Sequence, residues 1–375
     1  MIKSIISEPK NIGNMIIKNR LIRSATYEGM ASEDGSITDD LLNLYRNLAQ
    51  GGVGLIITSF SYVQQSGRGY LNQIGIDRDK LVLNLSKIPD IVHKYGEGCK
   101  IAIQLVHCGR QSRLLENTIA PSPVFEPVLK KMPREMTSEE VNGTIKAFTD
   151  AVRRAKEAGF DAVQLHAAHG YLLGEFLSPH TNRRTDEYGG SFENRIRIIE
   201  EIYEGSVQKV GLDYPIMVKM NVDDFVEGGI DLKESKKIAE RLSNMGFAAI
   251  ETSGGIMEAS TRSEKELGRP IITASSKDID SKNKEAYYLP YAREIKKVIS
   301  IPLILVGGIR SIEVIEKILS EGSADFVSLS RPLIREPDLP NKWLYGYKSS
   351  PADCVSCNAC LSNVRSDKLR CVLLN

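Results

Sequence analysis

Short apolar runs alternate along the chain with longer stretches in which apolar residues recur every three or four positions. The runs Leu21–Ala25, Leu55–Ser59, Lys100–Leu105, Asp161–Leu165, Ile216–Met220, Ala248–Thr252, Pro302–Val306 and Asp325–Leu329 read as strands. Thr38 caps a helix that reaches Gln50, with Leu41, Leu42, Tyr45 and Leu48 on one face and Gly51-Gly52 as its stop. Thr137-Ser-Glu-Glu140 is a capping box that opens a helix to Ala158. Further helices are expected from about Asp79 to Tyr95, Ser191 to Val210, Asp231 to Gly246, Ala286 to Ile299 and Ile312 to Glu321. Eight strands separated by helical crossovers predict an α/β protein of the closed (β/α)8 barrel type, a TIM barrel, rather than an open sheet.

Such a barrel keeps its chemistry at the C-terminal ends of its strands. The fourth run turns polar at once, as His166-Ala-Ala-His169-Gly-Tyr171, and this pair is drawn from only five histidines in the chain. Two long segments, 106–136 and 253–283, extend the same end and are expected to shape a binding face. Ser253-Gly254-Gly255, Gly307-Gly308 with Arg310, and Ser330-Arg331 follow the last strands. Glycines there let backbone N–H groups approach an anion, and an arginine adds a bidentate contact, so a phosphate-bearing ligand is expected.

Composition narrows the class. Of 375 residues, 42% are hydrophobic and 26% charged, with 49 Lys and Arg against 48 Asp and Glu. No bulk field favours nucleic acid or a membrane surface. No apolar run is long enough to span a bilayer and the first ten residues do not form a signal peptide, so a cytoplasmic protein is expected. Four of six cysteines, Cys354, Cys357, Cys360 and Cys371, crowd the last 22 residues (counting from Cys354 to Asn375). Their spacing suits an iron–sulfur cluster, a tetrahedral zinc, or four unligated thiols. The expected division is a barrel over 1–345 and a cysteine-bearing tail over 346–375.

Several stretches are similar to one known family. They are Asn19-Arg-Leu-Ile-Arg-Ser-Ala-Thr26, Tyr45–Thr58, Gln104-Leu-Val-His-Cys-Gly-Arg110, Gln164–Leu172, and above all Ser178–Arg195 with its Asn-Arg-Arg-Thr-Asp-Glu-Tyr-Gly-Gly-Ser core. On these residues the chain resembles the Old Yellow Enzyme family, the FMN-dependent ene-reductases, nearest to the subgroup of 2,4-dienoyl-CoA reductase and 2-enoate reductase. The resemblance implies that Ser24, Ala25 and Thr26 line the flavin, with Thr26 near C4 and N5, and that Ser59 passes close to the ring. Gln104 would pair with the pyrimidine edge and Lys219 would stand by N1 and the C2 carbonyl. Ser253, Gly254, Gly307, Gly308, Ser330 and Arg331 would hold the FMN phosphate. His166 and His169 would bind the carbonyl oxygen of an enone or enoate, and Tyr171 would protonate its α-carbon, with NAD(P)H as electron donor.

The residues alone leave alternatives. His166 and His169 with Asp161 or Glu175 also suit a metal, Lys219 a structural ion pair, and Tyr171 plain packing. In the subgroup, four cysteines hold a [4Fe–4S] cluster; here the gap between the second and third and the gap before the last are each one residue shorter. No Gly-x-Gly-x-x-Gly follows a strand, so a fused nucleotide-binding domain is not expected. NAD(P)H is expected to reduce the flavin directly, while a separate electron-donor protein and a homo-oligomer stay open as partners. Rival functions are a general NAD(P)H:flavin or quinone reductase and a non-catalytic flavin-binding electron-transfer subunit.

Overall fold

In the computed structural model, which describes residues 4–374, the eight expected strands all form and close on one another. They are β1 (Leu21–Arg23), β2 (Leu55–Tyr62), β3 (Lys100–Val106), β4 (Ala162–Ala167), β5 (Ile216–Asn221), β6 (Ile250–Ser253), β7 (Leu303–Leu305) and β8 (Phe326–Leu329). Every pairing is parallel and follows chain order, and β8 returns to β1 in the register Val327↔Leu21. A closed parallel sheet leaves no edge strand.

Strand alternation stacks the barrel interior in layers, because residues two apart face the same way. At the N-terminal end, Ile22, Leu55, Ala102, Ala162, Met217, Ala249, Ile304 and Phe326 form an apolar plug with Ile12, Met15 and Ile17. The last three come from a hairpin, Lys10–Ile12 paired with Met15–Ile17, which the strand pattern did not announce. Two residues further along six of these strands the layer turns polar: Ser24, Gln104, Gln164, Lys219, Glu251 and Ser328, all buried. An apolar base under a polar layer aims the chemistry at the C-terminal mouth.

The helices start where their caps place them. Thr38 accepts from the Leu41 N–H, and Thr137 with Glu140 completes the capping box. The expected helix from Asp79 to Tyr95 is instead broken into a 3-10 turn at Asp79–Leu81, one turn at Val82–Leu85 and a helix at Lys87–Tyr95. Pro89 explains the break: its ring has no N–H to give the Leu85 carbonyl and would clash with it in a continuous helix. Pro290 likewise stands in the first turn of a helix that runs only from Leu289 to Lys296. β2 is longer than expected and its register with β3 shifts between Ile57 and Phe60. Such an irregularity re-aims side chains, here at the strand end that carries Ser59 and Phe60.

The 106–136 segment is tied down by one buried guanidinium. Arg110, 0% exposed, donates to the carbonyl of Phe125 at 3.1 Å and pairs with Glu258 at 3.1 Å, while its backbone N–H donates to Glu175. Burial pushes the Glu175 carboxyl up to about 8 against the pull of Arg110. Arg110 thereby joins the segment after β3, the short helix Leu172–Leu177 that holds Glu175, and the turn after β6 that holds Glu258. Replacing Arg110 with Met should destabilise the protein by about 1–3 kcal/mol in urea unfolding, because it leaves the Phe125 carbonyl and the buried Glu258 without this donor. A loss below about 1 kcal/mol, the range of an exposed pair, would contradict this role.

Candidate active site

The polar layer is one hydrogen-bonded system. Glu251 accepts from Ser24 Oγ and Ser328 Oγ at 2.7 Å each and from Gln164 Nε2 at 2.9 Å. Lys219 Nζ lies 3.3 Å from the Glu251 carboxylate and donates to Ser24 Oγ at 2.9 Å. Gln164 Oε1 in turn accepts from Gln104 Nε2 at 2.7 Å. Burial works against the Glu251 charge, but Lys219, Ser328, Ser24 and Gln164 together outweigh it and hold the carboxyl below its usual range. One buried atom of this layer, Gln104 Oε1, has no hydrogen-bond partner and stands toward the C-terminal end of the barrel as a free acceptor.

Above this layer stand the end of β4 and the residues that follow it. His169 (φ +61°) and Gly170 (φ +77°) turn the chain through the left-handed region. The turn is pinned by Asn221, which accepts from the His169 N–H, and by Gln111, which donates to the carbonyls of His169 and Gly170. The His166 and His169 rings meet edge to face at 5.0 Å, and the Tyr171 ring packs against His166 at 4.8 Å. His166 Nδ1 accepts from the Ala168 N–H, so the proton of the neutral ring sits on Nε2. His169 Nε2 is 2.7 Å from Ser253 Oγ. Desolvation first, then His169 and Lys219, drive His166 well below the usual imidazole range; desolvation and Lys219 bring His169 to about 3. Burial holds the Tyr171 phenol protonated.

Sequence patterning missed an aromatic wall beside this group. Tyr27 stacks on Tyr70 at 4.4 Å, and Phe60 bridges Tyr27 and Tyr171 at 5.5 Å to each. Thr26 is turned the other way, its Oγ1 2.7 Å from Ser330 Oγ, so Tyr27 and not Thr26 faces the histidines' aromatic neighbours. Ala25 packs on the apolar plug. The metal alternative finds no ligand set. Asp161 is engaged with His93, Lys100 and the Ile101 N–H at the other end of β4, and Glu175 lies under Arg110. Among the described residues no group of three or more His, Cys, Asp or Glu is arranged to hold a metal ion.

Gly307 (φ +132°), Gly308 (φ +67°), Ser330 and Arg331 line one pocket, where a side chain at Gly308 would collide with the Tyr287 ring at 2.8 Å. Ser253 and Gly254, expected at the same place, sit on the neighbouring strand end: Ser253 is bonded to His169, and the Gly254 carbonyl accepts from Tyr288, whose ring also borders Gly307. Arg310 is spent on the carbonyls of Ile279 and Ala352. Cys354, Cys357, Cys360 and Cys371 line a second cavity with Arg335, and Arg331 lines both.

These residues fit FMN on observations of this structure: an orphaned amide oxygen, a lysine in the same layer, and a glycine cradle beside an arginine. The histidines' protonation is directly testable. Ring-nitrogen NMR signals of His166 and His169 should stay those of neutral imidazole from pH 8 to pH 5; a titration in that window would overturn the assignment of both rings as neutral.

The chain matches the model of the NADH:flavin oxidoreductase / NADH oxidase family over residues 6–349. It is 41% identical over 370 residues to an NADH oxidase of Thermoanaerobacter brockii, covering 96% of this chain and 54% of that one. Its fold superposes on a 2-naphthoyl-CoA reductase complexed with 2-naphthoyl-CoA with a TM-score of 0.86 at 28% identity, covering 98% of this chain and 56% of that one. It superposes on the Old Yellow Enzyme homologue of Zymomonas mobilis with a TM-score of 0.74 at 27% identity, over 92% of this chain and 94% of that one. The chain thus spans about half the length of the first two relatives. With a closed parallel barrel and a family match across nearly all of it, the chain belongs to the NADH:flavin oxidoreductase / NADH oxidase family, the FMN-dependent oxidoreductases of Old Yellow Enzyme type.

Proposed function

We propose that the protein reduces the C=C bond of an α,β-unsaturated carbonyl compound at the expense of NAD(P)H. The observation that carries this reading is the pair of neutral imidazoles 5.0 Å apart, with the Tyr171 ring 4.8 Å from His166, above the Gln104–Lys219 layer. Bound FMN would supply the hydride, with Gln104, Lys219 and Ser59 at its ring, Ser24 and Thr26 lining it, and Gly307, Gly308, Ser330 and Arg331 at its phosphate.

The protein's own part follows from charge. Hydride arrival at the β-carbon pushes electron density onto the carbonyl oxygen, and fixed donors stabilise charge best where it develops. His166 offers Nε2–H, and His169 is held beside it by Ser253 and Asn221. Tyr171, kept protonated by burial, gives its proton to the α-carbon. Neutral imidazoles suit this task, since a protonated pair so close to Lys219 would meet repulsion before any substrate bound.

The Thermoanaerobacter relative is named an NADH oxidase, which favours a second reading, a general NAD(P)H:flavin or quinone reductase. Steady-state rates on enones against quinones separate the two. In the tail, the four thiols share one cavity without being arranged to hold a metal. A [4Fe–4S] cluster or zinc there is decided by iron, sulfide and zinc analysis of anaerobically purified protein.

His166→Ala combined with His169→Ala should retain FMN, measured by its absorbance, and lower kcat for enone reduction by about 10²- to 10³-fold. Tyr171→Phe should lower it by about 10²- to 10⁴-fold while flavin reduction by NAD(P)H continues. Full enone turnover in either variant would refute the roles given to these side chains.

A further inference from the structure

Arg113 is a half-buried cation without a carboxylate partner among the described residues. Its neighbours differ. Arg110 is matched by Glu258, Arg262 by the same Glu258, and Arg68 donates to the carbonyls of Tyr70, Glu33 and Leu71. The Arg113 guanidinium meets only a thioether, Met257 Sδ at 3.9 Å, and the phenol of Tyr70. A sulfur atom is a weak acceptor and does not replace the hydration a half-buried charge gives up.

The backbone holds it there. The N–H groups of Arg113 and Leu114 both donate to the Gly69 carbonyl at 3.1 Å, and Ser112 Oγ donates to the Arg68 carbonyl at 2.6 Å. The opposing turn is fixed as well: Gln73 accepts from the N–H groups of Gly69 and Tyr70 and donates to the Phe60 carbonyl. Through that turn Arg113 stands next to Tyr70, whose ring lies 5.9 Å from Phe60; Phe60 in turn lies 5.5 Å from Tyr171. Beyond it the surface is apolar, with Leu71 47% and Leu114 39% exposed. Burial raises both Tyr70 and Tyr171, and the Arg113 charge opposes that rise in each, so the cation is felt at the proton donor itself.

We propose that Arg113 selects an anionic substrate, one that places its unsaturated carbonyl on His166 and His169 and carries a carboxylate or phosphate on an apolar stem along Tyr70 and Leu114. This rests on the ene-reductase reading given above. A guanidinium pre-set in a fork geometry pairs bidentately with either anion, and the bound anion supplies the counter-charge the protein withholds. Anionic selection is carried by the rim, apart from the histidines that hold the reacting carbonyl.

The test uses the full-length, FMN-loaded protein and three cyclic enones that differ only in a side arm: plain alkyl, carboxyalkyl and the alkyl phosphate monoester. The readout is the ratio of kcat/KM on each charged enone to that on the plain one. In Arg113→Gln the ratio for the preferred anion should fall about ten- to hundredfold through KM, and Arg113→Lys should restore part of it. The arm with the larger ratio in the unaltered protein identifies carboxylate or phosphate as the source of the charge. A ratio that does not move in Arg113→Gln overturns the inference, as does a ratio near one in the unaltered protein. A parallel titration follows flavin absorbance on adding the saturated ketones with and without the anionic arm. If no enone is reduced but the anionic ketone still binds tighter, and Arg113→Gln abolishes that preference, the ene-reductase reading fails while the role of Arg113 stands.

Discussion

The structure depends first on a charge pair inside the barrel. Lys219 and Glu251 are 4% and 0% exposed at their side chains, a position in which an isolated charge is very costly. Two serines and a glutamine from three other strands complete the carboxylate's bonds, so five strands meet at one residue. A purely apolar interior of the same volume would stabilise a barrel at least as well. Retaining the pair makes sense as a way of holding a cation, and an amide with a free acceptor, directly beneath a ligand. The same Lys219 charge adds to the burial that depresses His166 and His169, so the polar layer reinforces the neutral state of the rings above it.

Much of this is legible in the amino-acid sequence. Barrel closure follows from eight apolar runs with helical crossovers, and the polar layer is implicit in the strands themselves. Ala102 with Gln104, Ala162 with Gln164, Met217 with Lys219 and Ala249 with Glu251 each change from apolar to polar at a spacing of two. Gln104 and Lys219 stand out on their own. Gln164 and Glu251 carry the same signal without standing out, because a single residue in a strand gives no hint of its cross-barrel partner. His166, His169 and Tyr171 draw notice as a polar group at the end of an apolar run, and the structure brings their rings together.

What is not legible depends on how separate segments meet. Tyr27, Phe60 and Tyr70 form a wall only because a register shift in β2 and the Gln73-held turn bring them together. Neither device has a periodic signature. Ser253 stands in a glycine motif, and its hydrogen bond to His169 is a cross-strand contact that no motif announces. Pro89 and Pro290 shorten helices that apolar periodicity extends, a local steric rule overriding a pattern. The N-terminal hairpin closes the barrel base with three side chains that look, in sequence, like any short β-prone segment.

Arg331 ties the least expected part of the chain to the most expected one. Its Nη1 donates to the carbonyl of Ser276 at 2.8 Å and to Asn358 Oδ1, a residue between the second and third tail cysteines. The tail is also fastened to the barrel by Asn358 Nδ2 on the Ser275 carbonyl and by the Leu369 N–H on the Glu28 carbonyl. One guanidinium therefore borders both the glycine cradle and the cavity lined by Cys354, Cys357, Cys360 and Cys371. It cannot reorient toward an anion in the cradle without giving up bonds that place the tail. The cavity lined by the four thiols and the glycine cradle are thus coupled through Arg331, while the Asn358 Nδ2 and Leu369 N–H bonds hold the tail independently of it.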